Sequence, residues 1–481
     1  MTIRLGRQSV LSRKGRKSTS VEDMDTSSSN SDGADASTPP VPLTSTALPD
    51  DIPDEVLGTP TGEPPTEEEV ADLAGPTSSL ALFKVFRHRN YRLFFSGQLV
   101  SLMGTWMQSV AQGWLVYSLT HSPFLLGLTS FCAQVTVFFV APFGGVIADR
   151  VDRRRMLIWT QSLSMAQAVL LAVLALTHTV RVWEIIALAF GLGFINAFDI
   201  PSRQAMTLDM VGRGDLRHAI ALNSMMFNLA RVVGPSLAGV LIAIVGEGIC
   251  FAFNALSFGA VLTSLILMRI PQRPPRVNAH ALREIADGYH YSFGEPRIRS
   301  ALVLVAVSSC FGAAYLSLLP AFARDLLHGD ATSYGTLMTS VGIGALIGAY
   351  ALSRVHERWL TLAPVAASAC FGFGLIAFSH SHTLWLSVAL ILPTAFSLMM
   401  LGGTTNTIIQ LTAAEHMRGR VISHYTQSFL GMMPWGSLML GALASRLGVG
   451  TAVTVGGAIV LISAAIAYFS NTRIARPVAA D

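Results

Sequence analysis

The sequence predicts an all-α membrane protein with twelve spans in two six-helix halves and a disordered N-terminal tail. Three observations carry this. The chain is 51% hydrophobic and only 13% charged, whereas soluble domains carry roughly a quarter charged residues. From residue 93 onward the apolar residues fall into runs of about 20, the length that a hydrocarbon core requires. Finally, the basic residues crowd onto alternate connections between those runs, as the positive-inside rule expects.

Residues 1–80 read as a tail. They are rich in Ser, Thr, Pro, Asp and Glu and poor in aromatics, so they bury too little apolar surface to offset their ordering entropy. No apolar h-region marks a secretory signal. The first residues are basic and acid-free (Arg4, Arg7, Arg13, Lys14, Arg16, Lys17), while acids run from Glu22 to Asp72 with no Lys or Arg among them. Three readings of that basic start stay open: an organelle-type transit segment, a stretch touching anionic lipid, or an over-long start.

The first bundle is expected over 81–269, with spans at 93–117, 124–148, 156–178, 182–203, 218–244 and 248–269. A polar, basic stretch follows, and residues 270–298 are expected to tether the halves. The second bundle, 299–472, has spans at 299–323, 333–353, 360–379, 383–408, 420–445 and 450–471. Residues 473–481 form a short tail. With the N-terminus cytoplasmic, only Arg181, Arg324 and Arg446 of the basic residues from Lys84 onward face outward, and Arg231 lies within a span. An even number of spans returns the C-terminus to the same side. Gly145 and Gly344 share a 199-residue offset with Pro235 and Pro434, as a duplicated bundle would.

The segment from Gly144 to Arg155 joins spans two and three, and four of its last six residues are arginine. On charge alone it is a positive-inside anchor. The ionisable residues within spans are functional candidates, because hosting a charge there costs at least ~2.5–3.5 kcal/mol. Arg231 lies near the midplane of span five and cannot shed its charge. It shares a helix face with Asn228 and Pro235. Substrate anion, proton-coupling network and purely structural bridge are its alternatives. Asp199 lies in span four, just before Pro201. It is either a proton site paired with Arg231 or a carboxylate at a disturbed helix end.

Several function classes are excluded. No Gly-x-x-x-x-Gly-Lys-Ser/Thr loop surrounds Lys14, Lys17 or Lys84, so the chain holds no ATP-driven motor. No metal-ligand cluster or catalytic triad spacing appears, so neither an enzyme nor a cofactor is expected. Cys132, Cys250, Cys310 and Cys370 are scattered within apolar runs and read as small buried side chains. The basic excess belongs to membrane topology and does not point to nucleic acid.

Gly145-x-x-x-Asp149-Arg150-x-x-Arg153-Arg154 resembles the loop between helices 2 and 3 of the major facilitator superfamily, which usually has Gly where this chain has Asp152. Gly234-Pro235-Ser236-Leu237-Ala238-Gly239 resembles the Gly-Pro-x-x-Gly-Gly element of its antiporter branch. Further runs carry the resemblance from about residue 81 to 470. They are Asn90-Tyr91-Arg92-Leu93-Phe94-Phe95 with Gly97-Gln98, Trp114-Leu115-Val116-Tyr117, Asn223 to Pro235, and Arg418-Gly419-Arg420-Val421. They are similar to a branch containing bacterial exporters of siderophores such as enterobactin, alongside drug-efflux proteins. The superfamily's usual Arg in span four is absent; Arg203 lies near the inner end instead.

The resemblance implies a major facilitator fold and a gating role for Gly145, Asp149, Arg150, Arg153 and Arg154. Spans one, four, seven and ten line the cavity in that superfamily, which makes Gln108, Gln112 and Asn406 candidate substrate contacts beside Asn228. Interhelical hydrogen bonds are the alternative for these residues. Trp106, Trp114 and Trp435 are either wall residues of the route or interface anchors. The expected function is proton-coupled export of a small organic molecule, such as a siderophore or drug, by a monomer in a bacterial plasma membrane. An uptake symporter on the same fold and a non-transporting sensor or assembly factor are the alternatives.

Overall fold

The computed structural model describes residues 83–212, 214–269, 289–415 and 417–474; for 141–150, 357 and 471–474 it describes the backbone alone. The expected tail (1–80), most of the tether (270–288) and the C-terminal end (475–481) lie outside the described residues. Within them the fold is all-α, with twelve helical spans.

The first six are α1 (Arg89–Thr120), α2 (Pro123–Arg150), α3 (Arg153–Leu176), α4 (Val182–Val211), α5 (Leu216–Val245) and α6 (Glu247–Leu267). The next four are α7 (Pro296–Leu326), α8 (Ala331–Leu352), α9 (Ala363–Ser379) and α10 (Leu384–Thr412). Then α11 comes in two pieces, Arg418–Leu430 and Met433–Leu447, and α12 runs over Val449–Ile474. Among the described residues, nine helices are long and apolar enough to cross a membrane by length and composition. The remaining three depart for visible reasons. Gln98, Gln108 and Gln112 dilute α1, α9 has only 17 residues, and α11 breaks at Gly431–Met432 ahead of Pro434.

Helix ends follow local chemistry. Asp152 caps α3, its side chain accepting from the backbone N–H of Arg154 and Arg155 at 2.9 and 3.1 Å. Asp330 caps α8 through the N–H of Ser333. Gly246, with φ of +84°, turns the chain between α5 and α6 at a backbone angle that a side chain would strain.

Each half repeats one packing scheme. In the first, α1 lies against α5 and α6, α2 against α4, and α3 against α4 and α6. In the second, α7 lies against α11 and α12, α8 against α10, and α9 against α10 and α12. Adding six to every helix number converts one scheme into the other. The halves meet along α2–α11 and α5–α8, which the same rule also exchanges. The duplicated pattern in the sequence is therefore duplicated architecture.

At one end of the bundle, where α1 turns into α2 and α5 into α6, the two seams are tight. A Cβ on Gly239 of α5 would lie 3.0 Å from the Cα of Gly335 on α8, and one on Gly441 of α11 would lie 3.1 Å from the Cα of Gly127 on α2. Small residues let the backbones approach this closely. Ser236 and Thr339 share a hydrogen bond of 2.8 Å across the α5–α8 seam. At the same end Tyr117 of α1 donates to Asp325 of α7, and Trp114 stacks on Tyr334. Towards the opposite end, α5 and α8 part around a cleft.

Two stretches of α7, Ser308–Ala313 and Phe322–Leu326, are wound as π-helix. The first lies where Gly436 of α11 presses on the Cys310 carbonyl. Widened turns of this kind accommodate close neighbours and recur at functional positions.

Candidate functional site

The charged residues singled out from the sequence differ in the partners that the fold gives them. At the start of α3, Arg153 donates to Asp209 of α4 at 2.8 Å and reaches the Ala205 carbonyl. Arg154 donates to the carbonyls of Leu265 and Ile266 at 2.7 and 2.9 Å, covering the last turn of α6. Cations at a helix C-terminus satisfy carbonyls that lack intrahelical donors. These arginines therefore bind α3 to α4 and α6 within the first half. Gly145, Asp149 and Arg150 lie in the last turns of α2. Their side chains lie outside the described atoms.

Asp199 is buried, and both oxygens are used. Thr160 and Gln161 of α3 each donate to one oxygen at 2.8 Å, and Arg203 approaches the other at 3.2 Å. The pairing of Asp199 with Arg231 considered from the sequence is not formed. Arg203, one turn on along the same helix, takes that place, because i,i+4 neighbours need no crossing of the bundle.

Gln108 likewise belongs to packing. Its amide donates to Gln167 of α3 at 3.1 Å and its oxygen accepts from Asn254 of α6 at 2.8 Å, all buried inside the first half. This corrects its expected place as a cavity contact: it faces α3 and α6. Gln112, one turn further along α1, is half-buried. Asn406 of α10 keeps its Oδ1 buried without a hydrogen-bond partner. Asn228 lines the cleft between α5 and α8, its amide bonded back to the Ser224 carbonyl at 2.9 Å.

Arg231 sits halfway along α5, where its own backbone touches α8: a Cβ on Gly342 would lie 2.9 Å from the Arg231 carbonyl. The guanidinium lies over the Trp106 ring of α1, 5.7 Å from its centre, and Trp106 is held edge-on by Phe227. Among the described residues, Arg231 has no ion pair and no side-chain hydrogen bond. A cation–π contact away from water is worth about 2 kcal/mol or more, against a desolvation penalty of several kcal/mol for an ion taken out of water. Tyr315 of α7 is close enough to Arg231 to feel its charge, and its hydroxyl is buried with no hydrogen-bond partner. So a cation from the first half and an idle donor from the second lie near the middle of the bundle.

Gly234 and Gly239 fit α5 between two neighbours. A Cβ on Gly234 would come within 2.6 Å of the Trp106 side chain, and Gly239 faces Gly335. Pro235 between them leaves one backbone bond unmade, and its carbonyl would be 2.9 Å from a Cβ on Gly335.

The sequence reading missed Asp209, Tyr315 and the Tyr117–Asp325 contact. Asp325 had a signal, since acids are scarce from residue 300 onward. Tyr315 had none.

A duplicated six-helix bundle, with its seams at α2–α11 and α5–α8 and a half-buried cation between the halves, is the architecture of a secondary transporter. Residues 78–479 match the family described as transmembrane secretion effector. The chain belongs to that family, within the major facilitator superfamily; these are membrane transporters, not enzymes. It is 26% identical over 392 residues to the staphyloferrin A transporter of Staphylococcus aureus, covering 80% of this chain and 96% of that one. It is 24% identical over 377 residues to the enterobactin exporter EntS of Shigella flexneri, covering 77% and 88%. Among solved structures, a POT family transporter in complex with 5-aminolevulinic acid superposes with a TM-score of 0.65 at 11% identity, covering 81% and 97%. A bacterial homologue of the human lysosomal transporter Spinster, inward-facing and unoccupied, gives 0.63 at 14%, covering 82% and 98%. At such identities the structures share the fold alone.

Proposed function

We propose that the protein is a proton-coupled exporter of a small organic molecule, a siderophore or drug, working by alternating access as a monomer in a bacterial cell membrane. The observation that carries this reading is Arg231: a half-buried cation with no ion pair among the described residues, where the halves touch, near the cleft between α5 and α8. A mobile anion meets that demand in passing, whereas a permanent partner would cancel it. Export rests on the Gly234-Pro235-Gly239 element and on the exporter name of one relative. The bias of basic residues supports a cytoplasmic side for both termini and for the end that holds the cleft; on that reading the conformation is inward-facing, with its tight seams outside. Asp199 is the candidate proton carrier. Arg153 and Arg154, with Gly145, Asp149 and Arg150, form the hinge of the first half. The tail 1–80 and the tether 270–298 flank and join bundles 81–269 and 299–472.

Proton flux in inverted vesicles with an acid interior tests the reading. Siderophores and drugs are added one at a time. A substrate is expected to dissipate the gradient in the wild type and not in Arg231→Ala. If no compound of a broad panel moves protons, proton-driven export fails.

A further inference from the structure

The cleft between α5 and α8 has a volume of about 510 Å³ and is lined by Ser224, Met225 and Asn228 on one side and Leu346, Ile347 and Tyr350 on the other. Met225, Ile347 and Tyr350 each expose more than half of their surface, so the wall is a continuous apolar strip. Its direction follows from helix spacing. Ser224, Asn228 and Arg231 stand at i, i+4 and i+7 on one face of α5. Tyr350, Leu346 and Gly342 stand one turn apart along α8. Gly342 is the residue that meets the Arg231 backbone. The apolar strip therefore ends at the turn that carries the unpaired guanidinium.

We propose that the cleft and the cation together bind one amphiphilic organic anion. Its acid group, a carboxylate or comparable oxyanion, sits on Arg231 with the Tyr315 hydroxyl as second donor. Its apolar body lies along Met225, Leu346, Ile347 and Tyr350. The two features exclude the simpler ligands. A compact hydrophilic anion would leave the apolar wall uncovered, and a neutral amphiphile would leave Arg231 desolvated and unpaired. Tyr315 adds an independent sign, since buried hydroxyls ordinarily find partners and this one is idle. The proposal rests on the reading of Arg231 as a substrate site, and on neither the direction of transport nor its coupling to protons.

The test is equilibrium binding of 11-(dansylamino)undecanoate and of its methyl ester to the full-length protein in zwitterionic nanodiscs. Dansyl emission excited through tryptophan is read above empty discs. The acid is expected to bind saturably and the ester at least about tenfold more weakly, the loss of one charge-assisted bond. Arg231→Gln brings the acid down to the affinity of the ester and leaves ester binding as it was, which controls for folding. Tyr315→Phe weakens the acid by a smaller factor without lowering the melting temperature of the unliganded protein, because no bond of the empty state is lost. Ala349→Trp, which fills the cleft, weakens both ligands. Equal binding of acid and ester, wild-type affinity of Arg231→Gln for the acid, or no saturable binding of the acid each overturns the proposal. A wild type that binds the acid yet moves no protons in inverted vesicles keeps this site and loses proton-driven export. Proton flux without acid binding does the reverse.

Discussion

The arginines at the start of α3 and the arginine in the middle of α5 solve the same electrostatic problem in opposite ways. Arg153 has Asp209 at 2.8 Å, and Arg154 has two carbonyls of α6 within 2.9 Å. Both sit at helix ends, where water and unpaired carbonyls are close at hand. Arg231 lies 15 residues beyond the start of α5, about 22 Å along the helix at 1.5 Å per residue, with an aromatic face and an idle hydroxyl for company. The first two charges are satisfied whatever the protein binds, so they hold shape. The third is satisfied only when something else arrives. Burial without a partner, and not charge in itself, marks the residue that waits for a ligand.

Neutralising both classes breaks the comparison most directly. Arg231→Gln should abolish transport while leaving the melting temperature of the purified protein unchanged or raised, since a desolvated charge without a counter-ion is removed. Arg153→Gln should do the opposite. It leaves Asp209 short of a charged donor and should cost about 1.5–3 kcal/mol of stability, seen as a lower melting temperature and less protein in the membrane. Were Arg231→Gln to lose as much stability as Arg153→Gln, Arg231 would be a structural residue like the others.

A second contrast lies along one helix pair. The same α5 and α8 are tight at Gly239–Gly335 and parted at Met225–Tyr350. Gly239→Leu places a side chain where a bare Cβ already stands 3.0 Å from the Cα of Gly335. The variant should insert normally but disfavour the state in which this seam is shut, with transport reduced about tenfold, a shift of some 1.4 kcal/mol in the conformational equilibrium. A cysteine placed at Ser236, which faces Thr339 across the seam, should then react faster with a membrane-impermeant maleimide. An unchanged labelling rate would mean that the seam does not gate access.

Most of the architecture was legible because the bilayer reduces folding to a few rules. Apolar runs gave the spans, and their alternation of basic connections gave an even number. The offset shared by Gly145–Gly344 and Pro235–Pro434 anticipated the equivalence of α2 with α8 and of α5 with α11. What stayed hidden depends on which way a helix face turns. Gln108 and Gln112 look alike in sequence, yet Gln108 bonds to Gln167 and Asn254 inside the first half. Arg231 was visible because a midspan cation is rare; Tyr315 was not, because an aromatic in an apolar run carries no signal. The first π-wound turn of α7 lies where Gly436 of α11 meets Cys310, a contact between distant stretches that no local pattern encodes. The break in α11 falls inside what was expected as one span, 420–445.

The smallest effect concerns the charges where α1 and α5 begin. Asp215 accepts from Arg87 at 2.8 Å and pairs with His88 at 2.7 Å. The hydrogen bond with His88, above all, holds its carboxyl below its ordinary value of 3.8; burial opposes this, and the bond and charge of Arg87 add to it. A carboxyl whose pKa is lowered on folding stabilises the fold fully above its unfolded value. That contribution is lost as the pH falls through the lower, folded value. The Arg87 side chain is 68% exposed, so water screens the pair and the contribution should be about 0.5 kcal/mol. Thermal melts taken from pH 6 down to pH 3 should therefore fall slightly more steeply for the wild type than for Asp215→Asn. The variant has no carboxylate to protonate there. Identical slopes would place Asp215 with charges that merely decorate the surface, and would narrow the group of partnered residues that hold the first half to those around Arg153 and Arg154.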